Sequence, residues 1–251
     1  MFSLAVVGIT PIAILRKLLA SMIKIIEGNS YRKFYPLTLN HCSFEVRVGS
    51  YTLLEKILLE MGVEDTNTVI LLVREELKGV ISDRYPEMKI NPSESEYSQS
   101  DIVHEIDMDV YLSDNYPDSS NLFSFSGALE MKVDSGLDKH SSDTPFTVVN
   151  SAQVSIASSA SISAGVILDA SGGPIVVDRN AKLDIGSLVK GPAYIGPHSI
   201  INPGAKIKDV SIGPSCKIGG EVEHSTFQGY SNKQHDGYIG NSYIGEWVNL
   251  G

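Results

Sequence analysis

Proton transfer at neutral pH needs a side chain that titrates there, and the chain has 6 histidines that could serve. His235 is set apart by its position. It lies in 224–238, a stretch that breaks an otherwise regular repeat, and segments thrown out of a repeat are where such folds carry function. An imidazole with a pKa of about 6.5 can take the proton that an attacking amine must lose. His198 and His224 lack such a setting and read as surface or corner residues. Alone, His235 would more often be a loop histidine bonded to backbone. Cys42 and Cys216 form no spaced pair, so neither a disulfide framework nor a zinc knuckle is suggested. A reducing cytoplasm is the expected compartment.

What must position His235 is a beat of six. Val177, Leu183, Val189, Ile195, Ile201 and Ile207 follow at that interval, and four residues after each of the first five comes a small side chain: Ala181, Ser187, Ala193, Ser199 and Ala205. The interval suits neither a helix nor one long strand. It suits a hexapeptide β-helix, in which each hexad is a short strand and a corner and three hexads make a coil. Ile156, Ile162 and Leu168 keep the beat upstream, so the solenoid should begin near Val149. DASGGP (169–174) reads as a loop. Past Ile207 the beat skips to Ile212, returns at Ile218, is lost over 224–238, and resumes at Ile239, Ile244 and Leu250. Cys216 takes a small-residue slot, a structural place. Trp247 stands at an outward position suited to packing between copies. Gly251 falls in mid-coil, and an uncapped coil is an open sheet edge; a fragment, or a neighbouring chain over that end, is expected.

The front of the chain reads differently. MIKIIE (22–27), TVILLV (68–73) and MKIN (88–91) read as strands, with the second buried on both faces. Ser50 is the expected cap of a helix to Met61 that gathers Leu53, Leu54, Ile57, Leu58 and Met61 on one face. A second helix is expected over 74–85, closed by Pro86. Alternating strand and helix implies a parallel, doubly wound sheet. The expected order is a 1–21 apolar extension, an abbreviated α/β domain over 22–134, a linker over 135–147, and the β-helix over 148–251. The 121–133 stretch reads as one or two strands. Residues 1–21 are too short an apolar run for a membrane span, and the basic pair Arg16-Lys17 follows that run, unlike a secretory signal. The net charge of −10 argues against nucleic acid as a partner.

The stretch GGEVEHSTFQGYSNKQHDGYIGNSYIGEWVNLG (219–251) resembles the bifunctional family that makes UDP-N-acetylglucosamine, joining glucosamine-1-phosphate N-acetyltransferase to a UDP-N-acetylglucosamine diphosphorylase (uridylyltransferase). FYPLTLNHCSFEVRVGSYTLLEKI (34–57) is similar to the opening of its sugar nucleotidyltransferase branch from Bacteroidetes and archaea. The resemblance implies an α/β nucleotidyltransferase-like N-terminal domain followed by an all-β left-handed β-helix that forms homotrimers. It implies acetyl-CoA, an amino-sugar phosphate and UTP as substrates, with Mg²⁺ for the nucleotidyl half. It makes His235 the acetyl-transfer base and gives Tyr238 and Asn249 the sugar phosphate. It offers Arg47 and Lys56 as contacts to nucleotide phosphates; the plainer alternative is an Arg47–carboxylate pair and a solvated lysine.

The sequence also departs from the family. Glu223 stands where a phosphate-binding lysine is sought, and no arginine is evident on a preceding coil. Asn40-His41-Cys42 replaces an arginine-proline element. No G-x-G-T-R-M loop and no Mg²⁺-binding aspartate are recognisable, and the coils that would bind most of acetyl-CoA would lie past Gly251. These departures leave two alternatives: a non-catalytic trimeric scaffold of the same layout, or a zinc enzyme of the γ-carbonic anhydrase kind using His198, His224 and His235.

Overall fold

A computed structural model describes residues 22–116 and 145–251. The 1–21 extension, the 121–133 strands and most of the 135–147 linker fall outside them. The chain forms two compact units, one from Met1–Phe44 with Ile57–Asn115, the other from Glu45–Lys56 with Tyr116–Gly251.

In the first unit, strands β1 (Met22–Ile26), β4 (Val69–Leu72), β5 (Lys89–Ile90) and β6 (Ile102–Asp107) form one sheet in the order β5-β4-β1-β6, every pair parallel. Val69, Ile70 and Leu71 are fully buried, as a continuous apolar run in a parallel sheet should be. β6 and the helix Met108–Asn115 behind it carry no clear sequence signal. IVHEID is an edge strand with its central residues exposed, so it shows no apolar run. The helix expected over 74–85 is a 3₁₀ turn at Glu75–Leu77 leading into Lys78–Arg84.

The helix expected from Ser50 spans Leu53–Glu60, and its cap is Thr52. The Thr52 hydroxyl accepts from the Glu55 N–H, and the Glu55 carboxylate accepts from the Thr52 N–H. That reciprocal pair is a capping box. Leu53, Leu54 and Ile57 are buried, whereas Met61 lies past the helix and is exposed.

The second unit is built of parallel strands stacked in three columns. One holds β7 (Thr147–Val149), β10 (Ile167–Asp169) and the first parts of β13 (Leu188–Ile195), β15 (Lys206–Ile212) and β17 (Glu221–Phe227), then β19 (Tyr238–Gly240). The next holds β8 (Val154–Ile156), β11 (Ile175–Val177), the second parts of β13, β15 and β17, and β20 (Tyr243–Ile244). The third holds β9 (Ser161–Ile162), β12 (Lys182–Leu183), β14 (Ile200–Ile201), β16 (Lys217–Ile218) and β18 (Asn232–Lys233). Residues on the six-beat therefore meet their counterparts one coil away: Ile156, Val177, Ile195 and Ile212 in one column, Leu168, Val189, Ile207 and Val222 in another. All are at most 1% exposed, as are Ala181, Ser187, Ala193, Ser199 and Ala205 in the small slots. This stacking is compatible with a β-helix. DASGGP becomes a 3₁₀ turn at Ala170–Gly172.

The beat does not lapse over 224–238. Phe227 lies in register with Ile212, and Lys233 with Ile218. An aromatic ring and a lysine hold the places of aliphatics, which hid them from an aliphatic count.

A hairpin, β2 (Arg47–Val48) with β3 (Tyr51–Thr52), also belongs to this unit. The Arg47 N–H donates to Gln228 Oε1 at 3.0 Å and to the Tyr243 hydroxyl at 2.9 Å. Gln228 Nε2 donates to Glu45 O at 2.6 Å, and Ser211 Oγ to Gly49 O at 2.6 Å. Three coils thus hold one strap by backbone and side-chain bonds.

Cys216 is fully buried in its small slot, and burial pushes its thiol up to about 11. Thiolate is the reactive form, so Cys216 should resist a disulfide reagent at pH 8 and react once the chain is unfolded in denaturant. Labelling of the native protein at this site, read by mass spectrometry, would contradict the packing. Among the described residues no helix is long and apolar enough to cross a membrane.

Candidate functional site

The site grows from the turn 234–237, between β18 and β19. Gln234, His235, Asp236 and Gly237 are all exposed, and so is Tyr238. Exposed loops usually carry loose backbone, yet this one is tied down carbonyl by carbonyl. Lys233 O accepts from the Gly219 N–H at 2.6 Å and Gly237 O from the Glu221 N–H at 3.0 Å. Gln234 O accepts from Asn202 Nδ2 at 3.1 Å, and His235 O from Lys233 Nζ at 2.7 Å. Gly219 and Gly220 make room for it. A Cβ at Gly220, where φ is +69°, would come within 2.6 Å of Gly237 O. The result is a fixed backbone presenting a solvent-facing imidazole.

Asn249 lies on the following coil beside β18. It pairs in parallel with Asn232, and its Oδ1 accepts from Asn232 Nδ2 at 2.8 Å. It therefore stands next to the strand that leads into the His235 turn. Tyr238 opens the strand that leaves the turn, opposite Glu221. Its phenol folds back over Gly240, in space that a side chain there would fill. Among the described residues the His235 ring makes no hydrogen bond to Tyr238 or Asn249. Sequence reasoning grouped these three; the fold sets His235 on the turn, Tyr238 on β19 and Asn249 at an isolated bridge beside β18.

The charges around them are mixed. Glu221 and Glu223 face Tyr238 and Gly240 across the strand pairing, and Lys206 and Lys208 occupy the same columns one coil earlier. Glu223 lies 3.8 Å from Lys208 Nζ and 3.9 Å from His224 Nδ1. Asp209 is 3.4 Å from His224 Nε2, and burial raises its carboxyl above the usual range despite the facing His224 and Lys208. Trp247 is 73% exposed and stacks on Tyr230, ring centres 5.0 Å apart.

Arg47 is 6% exposed. Its guanidinium donates to Gln228 O at 3.2 Å and Ser50 O at 2.9 Å and lies 5.8 Å from the Tyr194 ring centre. Among the described residues it thus serves the strap through carbonyls, and a nucleotide phosphate would have to displace those bonds. Lys56 is half-buried, its Nζ 3.3 Å from the Tyr116 hydroxyl.

In the first unit, β1 and β6 flank the point where strand order reverses, the usual ligand crevice of an open α/β sheet. There the Asp109 carboxylate accepts from the Asn29 N–H at 2.9 Å and from the Ser30 N–H and hydroxyl. Burial pushes this carboxyl up, but the bonds from Ser30 and Asn29 outweigh it and hold it below the ordinary aspartate value. Gly28 is required at that turn: φ is +66°, and a Cβ would strike the Asp109 carboxylate. Sequence reasoning did not single out Asp109, since the strand before it carries no signal. It also missed Lys233. The spacing of Phe227, Lys233 and Ile239 was the available clue.

Among the described residues no three or more His, Cys, Asp or Glu side chains gather as a metal site. His198 and His224 sit at separate corners, both with positive φ.

No family model matches the chain. Over 67 residues, 26% of its length, it is 34% identical to the bifunctional protein GlmU of Gloeobacter violaceus (strain ATCC 29082 / PCC 7421), a stretch that covers 14% of that protein. This partial likeness suggests a GlmU-like or hexapeptide-repeat family at most.

Proposed function

We propose that the second unit is a left-handed β-helix that transfers an acetyl group from acetyl-CoA to the amine of an amino-sugar phosphate, glucosamine-1-phosphate, in a trimeric cytoplasmic protein. His235 takes the proton from the amine as its nitrogen attacks the thioester carbonyl. The new C–N bond forms, the C–S bond breaks, and CoA leaves as the thiol after protonation. Tyr238 and Asn249 hold the sugar phosphate. In the same reading the first unit belongs to a sugar-1-phosphate uridylyltransferase using UTP, so that the two reactions lead to UDP-N-acetylglucosamine.

The observation that carries the reading is an exposed imidazole on a turn whose backbone is held by the preceding coils. A general base needs that pairing of open access and fixed position. The partial likeness to a bifunctional GlmU supports the same reaction class. Mg²⁺ is not fitted to the described residues of the first unit. Asp107 Oδ1 accepts from the Asp109 N–H, and Asp109 is taken by Asn29 and Ser30. No step is assigned to that ion.

A second reading, a non-catalytic scaffold, is favoured for the first unit alone. The N–H groups of Asn29 and Ser30, which could face a phosphate at such a crevice, are satisfied by the chain's own carboxylate. The test is CoA release by the purified chain with acetyl-CoA and glucosamine-1-phosphate. Release that requires both substrates supports acetyl transfer. A folded chain that binds acetyl-CoA and glucosamine-1-phosphate yet releases no CoA overturns it and leaves the scaffold.

A further inference from the structure

Lys233 occupies a position that the fold reserves for an aliphatic side chain. Along the third column its counterparts are Ile162, Leu183, Ile201 and Ile218, each at most 4% exposed. Lys233 is itself only 5% exposed. Its Nζ donates to two carbonyls, Gly219 O at 2.9 Å on the preceding coil and His235 O at 2.7 Å in the turn. Burial lowers the pKa of this ammonium, although Asp236 acts in the opposite sense.

An ammonium in this column is a poor choice for stability. Withdrawing a cation from water is costly, and an apolar residue of similar volume is often as stabilising or more so. Leucine or methionine would continue the column. What the lysine adds is a bond across the coil to the carbonyl of His235 itself. Asn202 Nδ2 makes the matching bond to Gln234 O from the outside. Two side chains thus fix two successive peptide units of an exposed turn, the second carrying the imidazole.

We infer that Lys233 is a positioning residue: held within the coil stack, it fixes the peptide of His235 and so aims the imidazole at the acceptor amine. The inference rests on the acetyl-transfer reading above. It gives the buried lysine a role that aliphatic counterparts on the other coils could not perform.

The test uses the full chain with Lys233→Met, which fills the column without the ammonium. Unfolding should occur at an unchanged or higher temperature, while kcat for CoA release falls about 10- to 100-fold, the range expected when a reacting group is misplaced by about 1 Å. KM for both substrates should stay within about twofold, because ground-state binding is untouched. Amide hydrogen exchange at Gly219 and Glu221, whose N–H groups donate to Lys233 O and Gly237 O on either side of the turn, should accelerate. Lys233→Cys treated with bromoethylamine, which rebuilds an ammonium one atom type away from lysine, should recover most of the lost kcat. Should Lys233→Met fail to fold, Asn202→Ala loosens the same turn from the surface and should lower kcat about three- to tenfold.

A kcat within twofold of the parent, a fall in unfolding temperature that accounts for the lost activity, or unchanged exchange at Gly219 and Glu221 would each overturn the inference. If the parent chain binds both substrates and releases no CoA, the acetyl-transfer reading fails by itself. Exchange at Gly219 and Glu221 then still decides whether Lys233 fixes the turn.

Discussion

His235→Ala should lower kcat for CoA release by about 10²- to 10⁴-fold, the contribution of a positioned general base. The size of the effect follows from the reaction. Glucosamine-1-phosphate presents an amine that must shed a proton to form a stable amide, and water reached by chance is a poor substitute for a base held in place. The same substitution should leave stability within about 0.5 kcal/mol of the parent, because the ring is exposed and fills no core space. KM for acetyl-CoA should change little, since the imidazole acts on the amine. Parallel measurement of kcat and thermal unfolding separates these quantities. Activity within a few-fold of the parent would remove His235 from the reaction and, with it, the main support for acetyl transfer.

Phe227→Ala is expected to be the most destabilising single truncation in the second unit, costing about 3–5 kcal/mol. Phe227 is fully buried and ranks with Phe44 among the largest such side chains. It lies in register between Ile212 on one coil and Ile244 on the next. Its removal leaves a void that Ile212 cannot fill without bending a strand paired along both edges. Set against the 5–15 kcal/mol that typically separates folded from unfolded domains, that is a large share. Urea unfolding followed by circular dichroism would measure it. A loss below about 1 kcal/mol would mean that the coils collapse onto the site, contrary to the packing described.

How far the sequence reveals the molecule depends on which physical signal each residue emits. Val177 to Ile207 announce their columns because an inward aliphatic recurs at each strand, and the register pairs follow from that spacing. Phe227 and Lys233 keep the geometry but change the chemistry, so an aliphatic count reports a gap where the stack is unbroken. Ile102–Asp107 is silent for another reason. An edge strand need not bury both faces, and the adjacent polar residues His104 and Glu105 resemble loop. Thr52 and Ser50 are equally plausible caps by composition; only the Glu55 carboxylate returning to Thr52 decides between them. His235, Tyr238 and Asn249 were legible as residues through a resemblance. The carbonyl bonds that make their turn stiff were not, because Asn202 and Lys233 reach them from other strands.

The strap at Arg47 has a temporal consequence. Its partner Gln228 lies 181 residues later in the chain. At the usual pace of synthesis, about 5–20 residues per second, the ribosome delivers that partner roughly 9–36 seconds after the hairpin. During the interval Arg47 and the backbone of 45–50 remain hydrated and open to chaperones or proteases. The growing chain must then capture a segment it released long before, so a slower codon stretch between the two would lengthen the exposure without altering a single residue.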